Sequence, residues 1–320
     1  MLSCVADALF WMSRYLERAE HVARLLDVCF HLELDLHGVL AGPHELLWTS
    51  LAAILQQQVP PAADGRAFAS PQARISEWLT FDLDNPTSIM ACVTRARSNA
   101  RSIRGTITSE MWRELNKLYW QLRDADFGKQ ARESPHEFYQ AVESGSCLFQ
   151  GVCNATIIHD EGWQFIQLGK YLERADKILR ILDIQYRLLH DLTDPADLPL
   201  ANLQWAAVLR SCRAYEAYQQ LYVGRVEADH VVEFLLLHPE FPRSVRFSLE
   251  SAGRALTAIE GTVPGRELSK ADRLLGRTLA DLRFAEVGTI LKGDVHAFLA
   301  GLLERCGQAS RAVQDQYSLR

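Results

Sequence analysis

The residues whose spacing can carry chemistry begin with Glu17, Glu20, Arg24, Asp27 and His31, which recur every three or four positions and so share one stripe of a helix. Far downstream, Glu173, Asp176, Arg180, Asp183 and Arg187 repeat the pattern. A carboxylate in such a stripe acts as a general base when it faces an open cleft, and a guanidinium holds a carboxylate or phosphate through paired hydrogen bonds. Three readings stand side by side. In the first, the stripe is a solvated face laced with pairs such as Glu20 with Arg24 and Asp176 with Arg180, each stabilising by about 0.3–0.5 kcal/mol. In the second it is a network buried between helices, and in the third a catalytic or ligand site built on Glu17 and Glu173. The dipeptides Glu17-Arg18 and Glu173-Arg174 occur in both stripes. Adjacent residues on a helix do not face each other, so each of these side chains needs a partner elsewhere.

Another set is cationic. Arg97, Arg101 and Arg104 fall at i, i+4 and i+7, and like charges on one helical face destabilise it. The offset is expected from Glu17, Asp27, Glu110 or Glu114, or from an anionic ligand, with Trp112 and Asn116 placed to flank such a pocket. Arg243 follows Pro242 in what should be a first helical turn, where the helix dipole disfavours a cation; an acidic partner or a surface loop would account for it. Glu227-x-x-His230 has the spacing used by di-iron bundles, but those need two such motifs on facing helices plus two further carboxylates, so no metal is expected here. Phosphate loops, dinucleotide fingerprints, zinc-protease helices and nucleophile elbows are likewise absent, and no cofactor is indicated.

The elements that must position these residues are helices. Val5, Leu9, Met12, Leu16, Ala19, Ala23, Leu26 and Phe30 draw one apolar seam along a helix roughly 40 Å long. Ile89, Val93, Ala96, Ala100, Ile103 and Ile107 draw another after Pro86. Ser134-Pro135 with Glu137, Ser70-Pro71, and Ser269 with Asp272 are helix-start signals. No run of period-two alternation competes with them. Val59 to Ala69, rich in Pro, Ala and Gly, reads as a surface loop.

The sequence also repeats itself. YLERA occurs at Tyr15–Ala19 and at Tyr171–Ala175, an offset of 156 residues, and eight of the fifteen positions from Arg14 to Val28 are identical in Lys170 to Ile184. The same offset lays Pro86-x-Ser88-Ile89 on Pro242-x-Ser244-Val245. The expected fold is therefore all-α: a helical bundle of two tandemly duplicated units, 1–156 and 157–320, related by a pseudo-twofold axis as in a homodimer.

Composition narrows the function. With 320 residues, 48% of them hydrophobic, the chain has ample core material, and a net charge of −6 offers no basic field for nucleic acid. Its apolar runs are too short to cross a bilayer and no signal peptide is recognised, so a cytoplasmic location is expected. Seven scattered cysteines without a C-x-x-C pair read as reduced core residues, and Trp112, Trp120, Trp163 and Trp205 read as core or core-edge groups.

Taken in order, MLSCVADALFWMSRYLERAEHVARLLDV, FDLDNPTSI, ARSNARSIRGTITSEMWRELNKLYW, DEGWQFIQLGKYLERADKILRILDI and FPRSV resemble the bacterial alpha-E family, a helical domain with a glutamate-arginine motif, over nearly the whole chain. The resemblance implies a setting beside or fused to circularly permuted ATP-grasp ligases, often with transglutaminase-like proteins, and hence ATP-dependent amide-bond formation on peptides or amino acids. It carries the motif onto Glu17-Arg18 and Glu173-Arg174, and further segments onto Asn99, Arg101, Arg104, Glu110, Trp112 and Asn116. Cys4 and Ser13 stand where the family pattern leads one to expect an arginine and a glycine. Two functions follow as expectations. One is a non-catalytic helical partner of an ATP-grasp ligase. The other is an enzyme, with Glu17 or Glu173 as base and Arg101, Arg104 and Arg243 holding an acyl phosphate or carboxylate.

Overall fold

A computed structural model describes residues 1–36, 45–55, 70–189, 198–261 and 268–319. Among them every regular element is an α-helix. The first seven are α1 (Ser3–Leu36), α2 (Glu45–Ile54), α3 (Pro71–Phe81), α4 (Ile89–Ser102), α5 (Ser109–Leu122), α6 (Ala125–Glu133) and α7 (Pro135–Thr156). The next eight are α8 (Glu161–Leu189), α9 (Leu198–Ser211), α10 (Tyr215–Leu221), α11 (Ala228–Leu237), α12 (Val245–Glu260), α13 (Lys270–Arg283), α14 (Val287–Lys292) and α15 (Val295–Tyr317). The segment expected to be a loop at 59–69 lies outside the described residues.

The chain divides into two compact units, Trp11–Ile158 and Met1–Phe10 with His159–Arg320. The first turns of α1 thus pack with the later helices. The Met1 amino group meets Glu161 at 3.0 Å, and a side chain at Gly162 would place its Cβ 3.2 Å from Leu9 Cδ1, so glycine there lets the two segments approach.

Each unit is built on a ring of four helices. In Met1–Phe10 with His159–Arg320 the ring is α8, α12, α13 and α15, each packed on the next and α15 back on α8. In Trp11–Ile158 it is α1, α4, α5 and α7. There α4 packs on α5 and α5 on α7, Ser146 Oγ of α7 donates to the Leu16 carbonyl of α1, and Arg95 of α4 lies over the Tyr15 ring of α1. The apolar seam of α1 is buried as its period requires, with Leu9, Met12, Leu16, Ala19, Ala23 and Leu26 at 0–1% exposure.

Local geometry recurs at the 156-residue offset. Ser88 caps α4 by accepting from Ala91 N at 3.1 Å, and Ser244 caps α12 by accepting from Phe247 N at 3.0 Å. Each hydroxyl donates backwards, Ser88 to the Asp82 carbonyl at 2.5 Å and Ser244 to the His238 carbonyl at 2.6 Å. Even the turn before the cap is matched, since Asp82 Oδ1 accepts from Asp84 N and His238 Nδ1 from Glu240 N. An imidazole nitrogen here does the work of a carboxylate oxygen.

Two helix boundaries differ from expectation. The periodicity predicts one helix from Ile89 to Ile107, but α4 stops at Ser102 and Thr108 caps a new helix by accepting from Met111 N at 3.2 Å. Ile103 and Ile107 remain buried in the connecting turn, which is why their spacing mimics a longer helix. Ser134 precedes α7 as expected but makes no side-chain cap bond; its capping-box partner Glu137 accepts instead from Gln130 Nε2 at 3.0 Å.

Replacing Ser244 by Ala removes the cap, worth about 1 kcal/mol, and strips the His238 carbonyl of its donor, worth about 1 kcal/mol more. In urea unfolding, Ser244→Ala should be destabilised by the sum, while Ser134→Ala should stay within about 0.5 kcal/mol of the parent.

Candidate functional site

The glutamate-arginine stripes are buried. Glu17 is 2% exposed, Glu20 0% and Arg24 4%. Arg24 Nη1 donates to Glu20 Oε1 at 2.8 Å, and the Gln150 amide, brought by α7, donates to Glu17 Oε2 at 3.1 Å and Glu20 Oε2 at 3.3 Å. This is the network between helices and not the solvated face. The Glu20–Arg24 pair exists at its expected spacing, but it is buried, with Gln150 of α7 against Glu20, and not part of a solvated face.

The second stripe follows suit. Glu173 is 0% exposed and lies 3.6 Å from Lys177 Nζ. Arg180 grips Asp176 with two bonds of 2.7 and 2.8 Å, and Lys177 adds a third contact at 3.3 Å. Burial pushes the Asp176 carboxyl up, but Lys177 and Arg180 outweigh it and hold the group below its ordinary value. At the far ends, Asp27 meets His136 of α7 at 2.9 Å and His31 at 3.7 Å. Asp183 meets His296 of α15 at 2.5 Å and Arg187 at 3.3 Å.

The motif arginines are held by aromatic rings. Arg18 lies 5.7 Å from the Tyr15 ring centroid and Arg174 lies 5.4 Å from that of Tyr171, so the tyrosine three residues upstream is part of the motif's geometry. Sequence reasoning left that tyrosine aside although its i, i+3 spacing was visible. Arg174, buried, also donates to the Pro242 carbonyl at 3.2 Å, tying α8 to the turn before α12. Arg243 is not in a helical turn: Ser244 is the N-cap and Val245 the first helical residue, so Arg243 sits half-buried outside the helix and its expected clash with the dipole does not arise.

Arg104 lies past the end of α4, in the turn before α5, so only Arg97 and Arg101 of the expected stripe share the helix, and the offset differs from either one expected. Among the described residues no carboxylate pairs with Arg97, Arg101 or Arg104; Glu110 instead reaches Arg113, at 3.9 Å. Arg97 Nε donates to Asn116 Oδ1 at 2.8 Å. Its guanidinium stands 4.2 Å from the Tyr119 ring centroid, 5.4 Å from Trp112 and 5.6 Å from Trp120. Arg104 stands 4.9 Å from Trp112. Ring faces carry partial negative charge, so α5 supplies the compensation without an ion, at about 0.5–1 kcal/mol per exposed contact. Arg101 is exposed and makes no hydrogen bond, ion pair or ring contact among the described residues. Trp120, expected in the core, is 55% exposed. Trp112, Asn116, Tyr119 and the C-cap Arg123 recur at three- and four-residue steps along α5, with Trp120 four residues after Asn116, the overlooked signal for this aromatic face.

Of the candidate residues, Glu17, Arg18, Arg97, Arg101, Arg104, Glu110, Trp112 and Asn116 belong to the Trp11–Ile158 unit, and Glu173, Arg174 and Arg243 to the other. Glu227 and His230 pair with each other at 3.5 Å, and His230 also stacks on the Tyr222 ring, 4.8 Å between centroids. The cysteines are free thiols: Cys4 is exposed, Cys147 half-buried and the other five buried.

Glu20→Ala leaves the Arg24 guanidinium buried with that carboxylate gone and should cost about 3–5 kcal/mol in urea unfolding, no less than Glu17→Ala. Arg101→Met should change stability by less than about 0.5 kcal/mol. Asp176 contributes stability above its unfolded value of 3.8 and loses it as pH falls through its lower folded value. Asp176→Asn should therefore lower the melting temperature at neutral pH, and the gap from the parent should close on acidification below that range.

Comparison with known proteins agrees with the helical architecture. The family model described as Alpha-E, a predicted alpha-helical domain with a conserved ER motif, matches residues 1–317. Uncharacterized proteins of Mycobacterium bovis and Mycobacterium tuberculosis are 25% identical over 329 residues, covering 97% of this chain and 36% of their own length. The chain thus spans about a third of the relatives it matches. No solved structure matches. No described helix is long and apolar enough to cross a membrane. With the ER dipeptides at Glu17-Arg18 and Glu173-Arg174 and the family match running through both of them, the chain belongs to the Alpha-E family.

Proposed function

We propose that this protein is a non-catalytic helical partner of an ATP-grasp-type ligase, acting in ATP-dependent formation of peptide or amide bonds in the cytoplasm, with a transglutaminase-like protein as a possible third member. The observation that carries this reading is the burial of the motif carboxylates. A general base must come within hydrogen-bond reach of its substrate, whereas Glu17, at 2% exposure, accepts from Gln150, and Glu173, at 0%, faces Lys177. The motif braces the bundle, which leaves the exposed surface for recognition. That the relatives are nearly three times as long supports the same reading, since this chain corresponds to one part of a larger protein. The recurring caps, turns and four-helix rings support reading the two units as copies of one duplicated unit. The docking face is the stretch of α4 and α5 bearing Arg101, Arg104, Trp112 and Trp120, with exposed charge beside exposed aromatic surface.

A second reading, an enzyme or anion-binding subunit acting on a peptide or acyl phosphate, is favoured by one observation: Arg101 and Arg104 have no carboxylate beside them, as an anionic ligand requires. The two separate cleanly. Purified protein mixed with its ATP-grasp ligase should yield amide product only when both are present, and Arg101→Glu and Trp120→Ala should abolish this while leaving the melting temperature unchanged. Product formed by this chain alone, or a phosphate-dependent rise in melting temperature lost in Arg101→Met, would shift the assignment to the second reading.

A further inference from the structure

The end of α1 and the start of α7 bring together the last two members of the first stripe and a histidine outside it. Asp27 and His31 stand one turn apart on α1 and His136 lies in the first turn of α7, 109 residues from Asp27. One donor atom from each lies within 4.8 Å of the others. Asp27 Oδ1 is 2.9 Å from His136 Nδ1 and 3.7 Å from His31 Nδ1, and the two imidazole centroids are 4.7 Å apart. Two ligands of a single ion at about 2.0–2.2 Å stand roughly 3–3.6 Å from each other, so these separations are close to the edges of a coordination polyhedron.

The other unit supplies the comparison. Asp183 meets His296 as Asp27 meets His136, but the residue one turn along is Arg187, 3.3 Å away. A guanidinium is a permanent cation; an imidazole is a cation only when protonated and is otherwise a metal ligand. The carboxylate of one unit thus has a built-in counter-charge where that of the other has two imidazoles. The side chains of His31 and His136 are 49% and 52% exposed, leaving further coordination positions open to water, while Asp27 is 17% exposed. Their spacing is set by buried contacts between α1 and α7, the Gln150 amide on Glu17 and Glu20 and the Phe30 ring 6.0 Å from Tyr139, so the site is held by the fold.

We propose that Asp27, His31 and His136 bind one first-row divalent transition-metal ion. Two imidazole nitrogens and one carboxylate oxygen suit zinc, cobalt, nickel or copper rather than magnesium or calcium. The ion takes the Nδ1 positions now engaged in hydrogen bonds, His136 with the Asp27 carboxylate and His31 with the Asp27 backbone carbonyl, with each ring's proton on Nε2.

The test uses the full chain with zinc and cobalt salts. Calorimetric titration with zinc should show one saturable site per chain, and magnesium should not compete for it. Cobalt should give d–d absorption without a thiolate charge-transfer band, which separates this site from the free cysteines. His31→Arg, which rebuilds the arrangement of Asp183, Arg187 and His296, should keep the far-ultraviolet circular dichroism of the parent and weaken zinc binding by more than about tenfold. His31→Gln should do the same if the arginine perturbs folding, and His296→Gln should leave the affinity unchanged. Absence of a saturable site, a thiolate band, or undiminished binding by both His31 variants would overturn the proposal.

Discussion

A charged stripe on a helix that must also bury its apolar seam constrains everything around it. In α1 the seam and the stripe lie so close that Glu17, Glu20 and Arg24 are all within 4% of complete burial. Leaving a buried carboxylate without partners costs several kcal/mol, so the fold forms only if other elements deliver hydrogen bonds to those atoms. One element that does so is α7, through Gln150. In the other unit Lys177 and Arg180 of α8 itself stand beside Glu173 and Asp176. The positions of α7 against α1 and of α12 against α8, where Arg174 holds the Pro242 carbonyl, follow from satisfying these groups as much as from packing apolar surface.

The cationic stripe of α4 meets a related constraint with softer means. Arg97 and Arg101 on the helix and Arg104 in the turn after it repel, and a carboxylate partner would have neutralised them. Instead Tyr119, Trp112, Trp120 and the Asn116 amide surround Arg97 and Arg104. Quadrupoles and an amide dipole lower the repulsion without cancelling the net charge, so the face stays cationic toward solvent. A surface with both positive charge and exposed indole is suited to meeting a partner, whereas the fully satisfied interior of the ER stripe is suited to rigidity. This division of labour is what separates a scaffold from a catalyst in the reading offered above.

Local chemistry was legible in the residues themselves. The seam of α1, the caps at Ser70 and Ser269 and the helical class all rest on interactions between residues three or four apart, and the matched turns at Asp82 and His238 show how faithfully such rules carry over. Where the local rules misled, the turns between helices were responsible. Ile103 and Ile107 extended the period of α4 only because a turn also buries apolar residues.

What the tertiary structure alone decided is which charges are inside. Glu20 and Arg24 read equally well as an exposed pair, since i, i+4 spacing is the same in water and under a covering helix; distant groups such as Gln150, 130 residues away from Glu20, make the difference. His136 carries no signal linking it to Asp27 across 109 residues, and neither does His296 to Asp183 across 113. Sequence period determines the faces of each helix, because side-chain direction follows from backbone geometry. The partner a face meets depends on how the helices pack, and burial, the quantity that turns a charge into a brace, a ligand or a solvated group, exists only once they have done so.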